Sequence, residues 1–297
     1  MNIKKIIKSQ KIRHRIISLF KWIPDELMLK FQYRIILGRW PDLKKPKRFS
    51  EIIQVYKIKY RNDAVLRCVD KLEVRKFVSD KLKSSENLTE LYQVVKNAND
   101  IDLGSLPDKF VIKSTSGGNG DNVLIVTEKS EFDLQSVKTK LNGWLKKNYS
   151  NVSREWAYSQ VASNPKLIIE EYLEIKSENG LEDYKFLCFK GVMKVLWVDK
   201  DRFADHKRAF WDGELKFLKN VESDYPTFDE DPGLPEEIMD MKRIAEKLAE
   251  DFPFVRVDLY NVKGKIYFGE LTFYPWSGYV QFKPDEFDYK LGSYFKL

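Results

Sequence analysis

The run FVRVDLYNVKGKIYFGELTF, residues 254–273, limits the folds open to this chain more than any other stretch. Its two alternating, β-rich halves flank Lys263-Gly264, the pattern of a two-residue hairpin turn between antiparallel strands. DYKFLCFKGVMKVLWVD repeats the arrangement around Lys190-Gly191. Strands joined by hairpins need no crossover helix, so a sheet built this way is antiparallel and regular βαβ winding is set aside. LYQVV at 91–95 and KLIIEEYLEI add shorter strand candidates.

Helical patterns stand between these strands. SEIIQVYKIKY opens on Ser50, a plausible cap, with Glu51 in the first turn. DAVLRCVDKLEVRKFVSDKL carries apolar residues at 65, 66, 69, 72, 74, 77 and 78. EFDLQSVKTKLNGWLKKNY places Phe132, Leu134, Val137, Leu141, Trp144 and Leu145 along one face, and LPEEIMDMKRIAEKLAEDF reads as a longer helix. The expected class is therefore α+β. Hydrophobic residues make up 43% and aromatics 14% of the 297 residues, enough for a substantial folded core. Cys68 and Cys188 have no paired spacing, and His14 and His206 lie far apart, which argues against a disulfide framework, a zinc centre or a Ser-His-Asp triad.

Charge is unevenly spread. Residues 1–60 hold sixteen Lys and Arg against four Asp and Glu, a local +12, so the remainder sums to −5 within the overall +7. MNIKKIIKSQKIRHRIISLFKW interleaves isoleucines with cations at rough helical spacing. Such a region suits a solvated helix packed on its own domain, or attraction to an anionic membrane surface or an anionic glycan. Nucleic acid is not an expected partner, because the rest of the chain is acidic and carries no recognisable nucleic-acid module. No apolar run has the length of a membrane span or the uninterrupted core of a signal peptide, so a cytoplasmic protein is expected.

Two stretches could carry chemistry. KFVIKSTSGGNGDNVLIV, residues 109–126, is a glycine-rich loop between two apolar runs. Small residues let backbone N–H groups converge on an anion, and Lys113 stands immediately before the loop, where an ammonium would lie beside phosphates. The spacing fits neither common phosphate-loop signature, and an unliganded hairpin turn accounts for the glycines equally well. On the hairpin at 254–273 the two-residue period of strands gives Arg256 and Asp258 a common face, and likewise Glu270 and Thr272, so the turn sets the two pairs side by side on one sheet face if register allows. Such a set is either an ion pair on a solvated sheet or hard oxygen ligands for Mg²⁺ with an arginine aimed at phosphate.

In chain order, VDK at 69–71, FVIK at 110–113, the Gly loop at 116–120, EEYL at 170–173, VRVD at 255–258 and GELTFYPWSG at 269–278 resemble the ATP-grasp superfamily of carboxylate-amine ligases. DYKFLCFKG, VDKDRF, HKRAF, FPFVRVDLY and YFGELTFYPWSGY are similar to its teichuronopeptide-biosynthesis (TupA-like) group, found with bacterial surface-polysaccharide enzymes; the likeness runs from about residue 30 to the C-terminus.

That resemblance implies an ATP-grasp fold, two α+β subdomains clasping ATP, preceded by a helical basic N-terminal region at 1–60. The expected divisions are 61–106 for the first part of the ATP-grasp unit, 107–173 for the Gly-loop and lysine subdomain, and 174–297 for the metal-binding and substrate subdomain. It implies that Lys71 and Lys113 hold nucleotide phosphates under Ser116, Gly117, Gly118, Asn119 and Gly120, and that Glu170, Glu171, Tyr172 and Leu173 meet adenine. Asp258, Glu270 and Thr272 fall at the Mg²⁺ ligands, and Arg256 and Lys113 at the catalytic positions. Thr272 stands where the superfamily usually has Asn, and Glu171 where a lysine is frequent. Lys185, Arg202, Arg208, Ser277 and Gly278 are the substrate-side candidates. The implied activity is ATP-dependent amide formation through an acyl phosphate, joining an amino acid or other amine to a uronic-acid glycan or its lipid-linked precursor at the inner face of the plasma membrane. A glycosyltransferase or kinase of the same pathway, and a non-catalytic membrane-docking scaffold, are the competing readings.

Overall fold

The computed structural model describes residues 20, 22–117, 122–146, 153–174, 181–200 and 206–297. Helix α1 spans Asp25–Leu37 and α2 Phe49–Lys59. Next come α3 (Asp63–Val69), α4 (Glu73–Leu82), β1 (Leu91–Val95), β2 (Phe110–Ser114), β3 (Val123–Val126), α5 (Leu134–Trp144), α6 (Trp156–Val161) and β4 (Leu167–Glu171). The chain ends with β5 (Asp183–Phe189), β6 (Val192–Lys200), β7 (Lys207–Asp212), α7 (Ile238–Ala249), β8 (Val255–Val262), β9 (Lys265–Thr272) and α8 (Glu286–Tyr294). These fall into two compact units: Met1–Arg61, Asn151–Glu155 and Ser177–Leu297 in one, Asn62–Ser150 and Trp156–Lys176 in the other.

In the first unit the described strands form a five-stranded sheet, β7-β6-β5-β8-β9, antiparallel throughout. Both expected hairpins are present. Lys190 and Gly191, like Lys263 and Gly264, all have positive φ, the turn whose twist matches that of the strands. Helix α7 packs on β5, β6 and β8. It turns Ile238, Met241, Ala245, Leu248 and Ala249 inward at helical spacing. An aromatic cluster joins α2 and α8 to the strand ends: Phe49 lies 5.1 Å from Phe254 and Phe295 lies 5.0 Å from Phe254, ring centre to ring centre. Offset and edge-on contacts of this kind add to the apolar area they bury.

Helix α2 begins at Phe49 rather than after a capping Ser50. Ser50 is instead buried in the first turn, where its hydroxyl donates to Asp288 at 2.6 Å. The capping work falls to Glu51, whose carboxylate accepts the backbone N–H groups of Asp42, Lys47 and Arg48.

The second unit has a four-stranded antiparallel sheet in the order β1-β4-β2-β3. Phe110, Ile112, Leu167 and Ile169 from one of its faces join Leu134, Leu141 and Trp144 of α5 in a core. The single helical pattern read at 63–83 is broken at 70–72 into α3 and α4. Asp70 causes the break, its carboxylate accepting the N–H groups of Leu72 and Glu73 as the cap of α4. The consequence is that Lys71 sits in a turn rather than on a helix.

Candidate functional site

In the second unit, β2 pairs with β3 on one side and β4 on the other, so the loop after Ser114 does join two strands. Lys71 approaches that loop twice: its backbone N–H donates to Thr115 O at 3.1 Å and its ammonium donates to Gly117 O. Gly117 has φ of 115°, a conformation that favours glycine, and a Cβ there would lie 2.8 Å from the Asn122 amide nitrogen, which would have to move. Ser116 is buried. Gly118, Asn119 and Gly120 lie outside the described residues.

The core face of β2 holds Phe110 and Ile112, so the strand period turns Val111 and Lys113 to the other face. There Lys113 forms an ion pair with Glu170 of β4, and Arg75 approaches the second oxygen of that carboxylate at 3.7 Å. Burial lowers the affinity of the Arg75 guanidinium for its proton, with Glu170 acting in the opposite sense. The Glu170 side chain is buried and that of Lys113 about 29% exposed, so the lysine reaches solvent from a fixed carboxylate. Glu171 points elsewhere: its carboxylate accepts the Glu90 N–H at 3.1 Å. Tyr172 and Leu173 follow in a half-buried segment with no helix or strand. Of the residues expected around a nucleotide, Lys71 and Gly117 are thus joined, as are Lys113 and Glu170.

The first unit carries a row of alternating charge on one sheet face. β8 and β9 are in the register that opposes Asp258 to Glu270 and Arg256 to Thr272. The Arg256 guanidinium donates to both oxygens of Asp258, at 2.6 and 2.5 Å, and to Glu270 at 2.8 Å; Thr272 donates to Glu270 at 2.9 Å. Lys185, opposite Asp258 on β5, pairs with Asp183 and lies 3.7 Å from both Asp199 and Asp258. The row continues through Asp199 to Arg208, whose Nε donates to Asp199 at 2.7 Å.

Electrostatics follow from burial. Desolvation, together with Asp183 and Glu270, raises the Asp258 carboxyl above the ordinary carboxylate range, against the pull of Arg256 and Lys185. Burial works against the charge on Arg256, but Asp258 and Glu270 outweigh it and hold the guanidinium more firmly protonated than in water. Removing either partner would strand a buried charge.

An aromatic wall adjoins this row. Trp197 stacks on Trp276 with ring centres 4.3 Å apart, and the Arg208 guanidinium lies 5.5 Å from each ring and 5.1 Å from Tyr225. His206 is half-buried: its ring lies 3.7 Å from that of Tyr225, and Nε2 is 3.1 Å from Asp199. Trp276, Ser277 and Gly278 all have positive φ in a turn at Pro275–Gly278. Gln54 donates to the Ser277 and Gly278 carbonyls, Lys57 to the Ser277 carbonyl and hydroxyl, and the Ser277 hydroxyl to Glu155 at 2.7 Å. The polar groups of Ser277 are thus taken up internally, so what this turn presents is Trp276. Arg202 lies outside the described residues.

Asp183, Lys57 and Glu155 belong to these networks without having been singled out as site residues. Asp183 was accessible in principle, two positions before Lys185 on the same strand face. Lys57 and Glu155 left no periodic trace.

Asp258, Glu270 and Thr272 offer carboxylate and hydroxyl oxygens with no thiolate or imidazole, the donor chemistry of magnesium. Among the described residues no group of three or more His, Cys, Asp and Glu side chains forms a cation cage. The two carboxylates, both engaged by Arg256, are oxygen donors of the kind magnesium takes.

Residues 51–296 match the TupA-like ATP-grasp family. Solved structures similar to the chain include a D-alanine–D-alanine ligase from Bacillus anthracis, at 20% identity and TM-score 0.41 over 69% of this chain and 57% of that one. Others are an L-amino acid ligase from Bacillus licheniformis, at 14% and 0.47 over 77% and 49%, and a D-alanine–D-alanine ligase from Helicobacter pylori, at 16% and 0.45 over 84% and 68%. The chain thus spans about half to two thirds of the length of these three. No curated protein matches it. With the family match covering most of its length, the chain belongs to the TupA-like ATP-grasp family and has the ATP-grasp fold expected from its motifs.

Proposed function

We propose that the chain is an ATP-dependent carboxylate-amine ligase, joining an amino acid to a uronic acid of a bacterial surface polysaccharide or its precursor. The observation that carries this reading is the in-register pair Asp258 and Glu270 bridged by a buried Arg256. A donor set of that kind suits magnesium and polyphosphate, and it lies on the hairpin that the family match includes.

In this reading Lys71 and Lys113 neutralise the phosphates of ATP, Lys113 exchanging Glu170 for a phosphate oxygen. Ser116 to Gly120 cover the phosphates with backbone N–H groups, and the segment from Glu170 to Leu173 meets adenine. Asp258, Glu270 and Thr272 would hold magnesium, which when bound would supply positive charge to the transferring phosphoryl group. A substrate carboxylate oxygen attacks the γ-phosphorus and ADP leaves, giving an acyl phosphate. An amine nitrogen then attacks the acyl carbon, phosphate departs, the nitrogen loses a proton, and an amide remains. Arg256 stabilises the charge that develops in both steps, and Lys185 and Arg208 supply cations on the acceptor side. No side chain becomes covalently attached, so the protein acts by positioning and charge neutralisation.

Incubation with Mg-ATP, uronic-acid glycans and a panel of amino acids should release ADP only when both partners are present. ADP release that ignores the amine, or full activity in Asp258→Asn, would overturn this assignment.

A further inference from the structure

Seven of the fourteen large hydrophobic side chains exposed among the described residues lie between residues 20 and 40. The helical period explains how they gather. α1 buries Met28, Leu29, Gln32, Tyr33 and Leu37, which leaves Leu27, Phe31 and Ile35, spaced four apart, as a ridge on its outer side. Trp40 packs edge-on against Phe31 with ring centres 5.7 Å apart and is itself 58% exposed; Trp22, before the helix, is 75% exposed. Scattered exposed apolar residues are ordinary in a folded protein, but seven large ones between residues 20 and 40, two of them tryptophans, mark a surface that meets something.

The charges around the ridge identify the partner. Exposed Arg34, Lys44, Lys45 and Lys47 belong to the same stretch of chain. Its acidic residues are already engaged: Asp25 pairs with Arg154 at 2.9 Å, Glu26 with Lys30 at 2.6 Å, and Asp42 accepts the N–H groups of Lys44 and Lys45. Residues 22–47 hold six Lys and Arg against three Asp and Glu, so the apolar ridge belongs to a segment of net positive charge. Residues 1–19 contain six Lys and Arg and no Asp or Glu, so as a cover for this surface they would set cation against cation. A second copy would do the same. Nucleic acid matches the charge but offers nothing to aliphatic Leu27, Ile35 and Ile36. A bilayer with anionic headgroups satisfies both parts: Trp and Phe settle at the boundary between headgroup and acyl chain, leucine and isoleucine below it, and lysine and arginine at the phosphates.

We propose that α1 with its flanking tryptophans is a docking face for an anionic lipid surface. The ridge seats the protein, and the exposed Arg34, Lys44, Lys45 and Lys47 select the lipid charge. This goes beyond the ligase reading and does not depend on it.

Flotation of the full chain with vesicles of phosphatidylcholine, alone or mixed with phosphatidylglycerol, tests the proposal, with sedimentation velocity run on the same samples. The expected result is at least tenfold stronger partition onto the anionic vesicles, unaffected by Mg-ATP and reduced at least tenfold in the combined variant Leu27→Gln, Phe31→Gln, Ile35→Gln. Trp40→Gln, a milder change checked by thermal unfolding, should weaken partition in the same direction. Equal binding of the combined variant would overturn the proposal by leaving the lipid contact to the basic residues alone. So would absence of vesicle binding, including the case of a dimer that this variant dissolves, which would make the face an interface between copies.

Discussion

Arg256 is buried, with carboxylates on two sides of its guanidinium. Its planar fork meets both oxygens of Asp258 while a third hydrogen bond reaches Glu270, a geometry that an ammonium cannot copy. Arg256→Lys should therefore lower kcat/KM about a hundredfold or more, while the charge it retains limits the loss of stability. Lys113→Met should raise the KM for ATP and lower kcat, since its ammonium is proposed to meet phosphate. Steady-state kinetics with ATP as the varied substrate checks both variants. A Lys113→Met enzyme with unchanged constants would remove that lysine from the site.

Among the elements, the turn at Pro275–Gly278 depends on a helix far from it in sequence. α2 supplies Gln54 and Lys57, which hold the left-handed Ser277 by its carbonyl and hydroxyl. The Lys57 side chain is fully buried, and desolvation brings its amine from an ordinary 10.5 down to about 8, with Glu155 pulling the other way. Between those values the folded chain holds a neutral amine while the unfolded chain remains protonated, so stability rises with pH across that window. The contribution is complete above about 10.5 and is lost as pH falls through about 8. Denaturant unfolding at stepped pH should show wild type gaining up to roughly 3 kcal/mol on Lys57→Met over this window. Parallel curves would contradict it. The hairpins at Lys190-Gly191 and Lys263-Gly264 were legible in the sequence because their turn chemistry and two-residue period are local. Lys57 and Glu155 were not, because a single buried ion beside a turn disturbs no periodicity. Ser50 misled for a related reason: a residue of ordinary capping type is drawn inward by Asp288, a partner near the other end of the chain.

At the scale of the whole molecule, the charge asymmetry and the motif order carried more than any single residue did. The first 60 residues carry a net +12, and α1 within them has an exposed apolar ridge, which no count of charges could show, because exposure depends on which helical face the core takes. Six short motifs in order pointed to a fold that the family match over residues 51–296 bears out. The pairing of Lys113 with Glu170 was hidden, since it depends on the register of β2 against β4. In the proposed ligation a substrate carboxylate is activated by phosphoryl transfer. This activation is tested most directly by supplying a uronic acid whose carboxylate oxygens are ¹⁸O-labelled, together with Mg-ATP and the amine, and recovering the inorganic phosphate for mass spectrometry. One labelled oxygen in each phosphate released during amide formation is the predicted result. Unlabelled phosphate, formed at the same rate as the amide, would contradict it.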